Sequence, residues 1–379
     1  MDKQSVSVLV CDDSALMRNL LGRIIEGADG LELAGKAMNG RFLLEKIPSL
    51  KPDIILLDLE MPEMNGIEFL KERKKREIGI PVVILSSVAK RGARITMEAL
   101  NLGASDFILK PSGSISEDIH EIRDHIVETL LAYGRRYKEK GPESIFSTTS
   151  SNLPRTSVKA EIKGKEPVVK PPVEASFKKP AEKTGIIELI ALGISTGGPN
   201  ALRHLLVDID PDLPVPMLIV QHMPAGFTAE FAKSLDKICP LHVKEGEDGD
   251  LLSPGRVFIA PGGYHIEVEL KRLASVLRVT SGEAKNGHKP SVGVLFDSVA
   301  KHFGGKALAV IMTGMGKDGA EEIGSIREQG GITIAQDKES SVVYGMPKVA
   351  AELGYIDHIV SLNDMASTIN KLVKENYKG

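Results

Sequence analysis

The stretch Asp-Ile-Ile-Leu-Leu-Asp-Leu-Glu-Met-Pro-Glu-Met-Asn-Gly, residues 53–66, decides the fold of the first third of the chain. An apolar run stops abruptly on a carboxylate, Asp58, and a turn of Pro, Asn and Gly follows. Such a run, bounded by turn residues, is how a strand buried on both faces of a parallel sheet reads. Comparable runs flank it at 6–10, 31–35, 81–85 and 105–109, with helical stretches between them. Five strands alternating with five helices predict a doubly wound α/β domain over residues 1–136. Function in such sheets gathers at the carboxyl ends of the strands. Asp12 and Asp13 follow the first strand, Asp58 the third, Ser86 the fourth and Lys110 the fifth.

Three carboxylates converging on one edge repel one another and call for a cation. An all-oxygen set of this kind suits Mg²⁺, which keeps some of its waters and can bridge to phosphoryl oxygens. A strand-tip carboxylate can then attack phosphorus and form an aspartyl phosphate. Lys110 supplies a fixed positive charge for the transferred group, and the Ser86 hydroxyl can follow its oxygens. Any one of these residues alone reads as a cap or a solvated loop charge; their convergence on four strand ends argues against that. The segments CDDS (11–14), LLDLEMPEMNG (56–66), PVVILSS (81–87) and ILKPS (108–112) closely resemble the receiver domains of two-component response regulators. The resemblance implies Asp58 as phosphoacceptor, Asp12 and Asp13 as Mg²⁺ ligands beside it, and a sensor histidine kinase as phosphodonor. The interval from Ser86 to Lys110 is about two residues longer than is common in that family, so the segment after the fourth strand is expected to differ locally.

Working outward, the alternation collapses over residues 137–184, where Pro, Lys, Glu and Ser replace periodic apolar positions. Such a segment cannot bury enough surface to offset its ordering entropy and is expected to be an extended, mobile linker. With 379 residues, two domains are the default, and 42% hydrophobic with 26% charged residues is an ordinary globular composition. A net charge of −3 offers no global field for nucleic acid, and no recognition helix is evident. Neither a signal-like apolar core nor a run long enough to span a membrane is present. Two cysteines, Cys11 and Cys239, build no disulfide framework, so the expected compartment is the cytoplasm.

Strand–helix alternation resumes over 185–379, with strands expected at 186–194, 216–221, 256–261, 306–313 and 331–336. Residues 265–280 read as a hairpin, which makes a mostly parallel but mixed α/β sheet the expectation. The first of these strands runs into Gly193-Ile194-Ser195-Thr196-Gly197, a G-x-S-x-G pattern that can expose a serine on a tight strand-to-helix turn. A glycine-rich helix start that binds phosphate is the competing reading. Other strand ends favour the serine: His222 closes the second strand and Asp318 follows the 306–313 strand. Ser195, His222 and Asp318 can therefore meet as nucleophile, general base and orienting acid. His265 is the main rival to His222. Gly314, Gly316 and Gly319, with Asp337 beyond, also spell a dinucleotide-binding fingerprint, the alternative for this domain. Asp318 would stand too close to a bound pyrophosphate for that reading, which also leaves the serine turn without a role.

ALGISTGGPNAL (191–202), QHMPAGFTAEFAKSLD (221–236), APGGYH (260–265) and IMTGMGKDGA (311–320) resemble the chemotaxis protein-glutamate methylesterase family. The resemblance implies hydrolysis of glutamate methyl esters on methyl-accepting chemoreceptors, deamidation of receptor glutamines, and a triad of Ser195, His222 and Asp318. Backbone N–H groups of Thr196 and Met315 are the candidate oxyanion donors, and no cofactor is expected for the ester chemistry. The simplest reason for joining the two domains is steric: the unphosphorylated receiver covers Ser195, and phosphorylation weakens that docking.

Overall fold

The structure is a computed structural model and describes residues 5–87, 90–110, 119–141 and 185–377. In the N-terminal domain, strands β1 (Val6–Cys11), β2 (Leu31–Ala37), β3 (Ile54–Asp58), β4 (Val82–Ser86) and β5 (Asp106–Leu109) alternate with helices α1 (Ala15–Glu26), α2 (Gly40–Leu50), α3 (Gly66–Lys75), α4 (Lys90–Asn101) and α5 (Ile119–Lys140). The sheet is parallel throughout in the order β2-β1-β3-β4-β5. Every residue of β3 and β4 is buried, as their unbroken apolar runs require. The order reverses between β1 and β3, and the crevice at that switch holds Asp12, Asp13 and Asp58. Helix α5 continues to Lys140, so residues 137–140, expected to open the linker, are helical. The rest of that linker, 142–184, lies outside the described residues, as do residues 88–89 of the segment expected to differ after β4.

The C-terminal domain builds a seven-stranded sheet from β6 (Leu189–Ile194), β7 (Met217–Gln221), β8 (His242–Glu245), β9 (Arg256–Ile259), β12 (Ala307–Ile311), β13 (Ile332–Gln336) and β14 (His358–Val360). Its order is β14-β13-β12-β6-β7-β9-β8 and every pairing is parallel. The expected hairpin exists, β10 (His265–Leu270) against β11 (Ser275–Thr280), but forms a separate two-stranded sheet. The mixed sheet is thereby corrected. Residues 265 to 280 turn back on themselves after β9 and leave the main sheet without an antiparallel member. Helices α6 (Gly198–Val207), α7 (Phe227–Asp236), α8 (Val292–His302), α9 (Glu322–Glu328), α10 (Met346–Glu352) and α11 (Leu362–Glu375) cover both faces. The order reverses around β6, so β12, β6 and β7 lie side by side and bring their carboxyl ends together.

Candidate functional site

At the receiver crevice, ligand oxygens of Asp12, Asp13 and Asp58 lie within 4.8 Å of one another. Lys110 Nζ reaches Asp12 Oδ2 at 2.9 Å and Asp58 Oδ2 at 2.8 Å. Burial raises the Asp58 carboxyl above the usual range, Lys110 pulls it back, and Asp12 pushes it up again. Burial would lower the Lys110 ammonium, but the two carboxylates outweigh it and hold it up. One lysine thus pairs with two of the three acids and leaves a hard-oxygen set with residual negative charge that fits a divalent cation such as Mg²⁺. Ser86 closes β4 but turns its Oγ toward Thr96 Oγ1 of α4, 2.6 Å away. Its hydroxyl is held by α4 in this arrangement.

At the second edge, three adjacent strands deliver three side chains. Ser195 follows β6, on a turn that packs so tightly that a Cβ on Gly198 would meet Gln221 Oε1 at 1.9 Å. Proline at position 199 fits the first turn of α6, where its missing N–H costs nothing. His222 follows β7, and its Nδ1 lies 3.0 Å from Ser195 Oγ. Its Nε2 lies 2.9 Å from Asp318 Oδ2, in the loop after β12. An ionised carboxylate only accepts, so Nε2 carries the proton and Nδ1 presents a lone pair to the serine hydroxyl.

Asp318 is buried, at 1% exposure, and is saturated with donors. Besides His222 it accepts from Ser291 Oγ (2.7 Å), Asn286 Nδ2 (3.1 Å), and the backbone N–H groups of Val292 (2.7 Å) and Gly293 (3.2 Å). The last two open α8, so the carboxylate sits at the positive end of that helix. Burial alone would raise its pKa; the bonds from His222 and Ser291 and the imidazole charge outweigh it and hold it far below the usual carboxylate range.

The rival histidine, His265, is buried and faces elsewhere. Its Nε2 meets Glu283 O at 2.8 Å and its Nδ1 accepts from Ser291 N at 3.2 Å, so it props the loop that holds Asp318. Thr196 and Met315 both border the cavity at Ser195. Neither backbone N–H finds a protein acceptor among the described residues. Two of the glycines after β12 serve close packing: a Cβ on Gly314 would meet Ser195 Cβ at 2.7 Å, and one on Gly319 would meet Val292 Cγ1 at 2.3 Å. Asp337 closes its own turn by accepting from Ser340 N. Neither feature leaves the dinucleotide reading a site, since the fingerprint's first glycine is pressed against the serine turn and its third against Val292 of α8.

Sequence reasoning missed His288, Asn286, Ser291 and Asp106. His288 stacks flat on His222, with ring centroids 3.8 Å apart and planes within 10°. The first three sit in a loop without periodic pattern, where nothing marks them in advance. Asp106, at the start of β5, accepts from Gly197 N at 2.9 Å, one turn from Ser195. Asn200 donates to Ala104 O and Ser105 O, and Phe107 stacks on Phe227 with centroids 5.2 Å apart. The receiver therefore lies over the serine edge. Ser195, His222, Met315, Phe107 and His125 border one cavity of about 470 Å³, and Ser195 is only 9% exposed.

A receiver domain whose β5 and α5 lie over a Ser–His–Asp edge defines a response regulator whose output is a serine-hydrolase-type domain. Residues 8–122 match the response regulator receiver domain and residues 190–369 match the CheB methylesterase family. The protein-glutamate methylesterase/protein-glutamine glutaminase of Treponema denticola is 55% identical over 98% of this chain and 99% of its own. Its counterpart in Treponema pallidum is 49% identical over 97% of both chains. A solved structure, the Thermotoga maritima CheB methylesterase catalytic domain, is 37% identical over 49% of this chain and 99% of its own, with a TM-score of 0.48. The chain belongs to the CheB methylesterase family. No helix among the described residues is long and apolar enough to cross a membrane.

Proposed function

We infer that this chain is a phosphorylation-regulated protein-glutamate methylesterase that also acts as a protein-glutamine glutaminase in chemotaxis. Its substrates are glutamate methyl esters and glutamines on methyl-accepting chemoreceptors, and it works in the cytoplasm. The observation that carries the reading is the hydrogen-bonded series from Ser195 Oγ through His222 to Asp318, lying beneath a receiver domain. As Ser195 attacks the ester carbonyl, His222 Nδ1 takes the hydroxyl proton while Asp318 fixes the tautomer and stabilises the imidazolium. The open N–H groups of Thr196 and Met315 receive the developing oxyanion. Methanol leaves with the proton from His222, and water then releases the acyl group by the same route. Loss of ammonia from glutamine follows the same course.

In the receiver (1–136), Asp58 accepts a phosphoryl group from a chemotaxis histidine kinase. Asp12, Asp13 and Asp58 would hold a Mg²⁺, which would neutralise charge on the phosphoryl oxygens. Lys110 and Ser86 read the modified carboxylate. Residues 137–184 connect it to the catalytic domain (185–379), with α5 reaching into the connection. A fluorophosphonate probe tests the hydrolase reading: it should label Ser195 in the wild type and fail on Ser195→Ala. Equal labelling of both proteins would remove Ser195 as the nucleophile.

A further inference from the structure

We propose that His288 is a positioning residue for the ester hydrolysis, its flat ring serving as a neutral π face against which His222 becomes imidazolium. This rests on the hydrolase reading of the site. Two neutral aromatic rings avoid a face-on sandwich and settle offset or edge-on, with centroids about 4.5–7 Å apart. His222 and His288 do the opposite, at 3.8 Å and nearly parallel. A cation over a ring face favours this geometry. One of the two rings must then carry charge at some point in the cycle while the other does not.

The surroundings assign the roles. His222 has Asp318 at its Nε2 and takes a proton at Nδ1 during attack. His288 has neither partner: no hydrogen bond to its ring nitrogens occurs among the described residues, so it is not built as a proton relay. Burial, and then the neighbouring His222, push the His288 imidazole down to about 4, so it stays neutral where a general base works. Its backbone is tied to Lys285 in both directions, N–H to O at 3.0 Å and the reverse at 3.2 Å. Two residues away, Asn286 donates to Asp318. One loop therefore steadies the carboxylate with Asn286 and faces the imidazole with His288. Stacking also limits rotation of His222, keeping Nδ1 on the serine. The proton moves from Ser195 Oγ to His222 Nδ1 and on to the leaving oxygen, and His288 neither gains nor loses one.

The test uses the full chain with a phosphodonor and two substrates, p-nitrophenyl acetate and methylated receptor. His288→Phe keeps the face without ring nitrogens; His288→Asn keeps polarity without the face; His288→Ala keeps neither. The proposal expects Phe within about threefold of wild type, and Asn and Ala slower by about 10–30-fold in kcat, with KM little changed on both substrates. Phe as slow as Asn would overturn it and move the role to the ring nitrogens. A loss confined to KM for receptor would overturn it in favour of substrate contact. A dead Ser195→Ala beside an unimpaired His288→Ala would overturn this proposal alone, whereas an active Ser195→Ala would overturn the hydrolase reading with it.

Discussion

Asp318 is almost wholly enclosed yet held ionised by its donors. Its carboxyl lies well below the unfolded value, so its contribution to stability is present above about pH 4 and is lost as pH falls through that depressed value. The site should therefore keep its orienting charge across the whole working range. Ser195→Ala or His222→Ala should each lower methanol release by on the order of 10³ or more, and the double variant should be barely worse. Penalties that multiply in the double variant would mean that the two residues do not act together. Removing Asp318 should cost somewhat less, since the serine–histidine contact survives. At the other crevice, Asp58→Asn keeps the shape but loses the nucleophilic oxygen. Labelling by a small phosphodonor should vanish, and chelating Mg²⁺ should abolish it in the wild type. Persistent labelling would move the acceptor to another residue.

At the scale of elements, three parallel strands and the start of α8 do the positioning. Ser291 caps α8 by accepting from Val294 N and also donates to Asp318 at 2.7 Å. Ser291→Ala loses both, a cap of about 1 kcal/mol and a charge-assisted bond of about 1.5–3 kcal/mol. Thermal unfolding should fall by several degrees and turnover by about tenfold; unchanged turnover would show that Asp318 is held well enough by backbone alone. The strands that deliver Ser195, His222 and Asp58 were legible because each is a fully buried, mostly apolar run that ends on its functional residue or immediately before it. The edge strands β8 and β14 escaped because they are short and partly exposed, without an apolar signature. Asn286 and His288 escaped for a different reason: their roles depend on contacts across the fold from a loop with no period. The glycines at 314–319 were ambiguous until Gly314 was found against Ser195. The same spacing suits either a phosphate or a packed turn.

For the whole molecule, the receiver covers the catalytic edge through hydrogen bonds such as Arg136 to Ser341 O and through apolar packing that joins the two domains in one hydrophobic cluster. Burial raises the Asp106 carboxyl to about 6, with the N–H groups of Gly197 and Phe107 and the Tyr133 hydroxyl pulling it down. The Gly197 N–H reaches this acid across the docking interface at 2.9 Å. Asp106→Ala removes the acceptor and should raise basal activity of the unphosphorylated chain toward that of fragment 185–379. Unchanged basal activity would show that this contact does not hold the receiver in place. Phe107→Ala should loosen the stack on Phe227 and raise basal activity without a phosphodonor, read as faster methanol release.

Docking over Ser195 is what makes one chain of two domains. A coupling of about 1–3 kcal/mol between Asp58 phosphorylation and undocking would give roughly 5–150-fold activation. The direct measurement is methanol release from methylated receptor by the full chain, with and without a phosphodonor, beside fragment 185–379. The fragment should exceed the unphosphorylated chain and ignore the phosphodonor, while the full chain should rise toward the fragment when phosphorylated. A fragment no faster than the unphosphorylated full chain would contradict occlusion and require phosphorylation to act on catalysis or substrate recruitment instead.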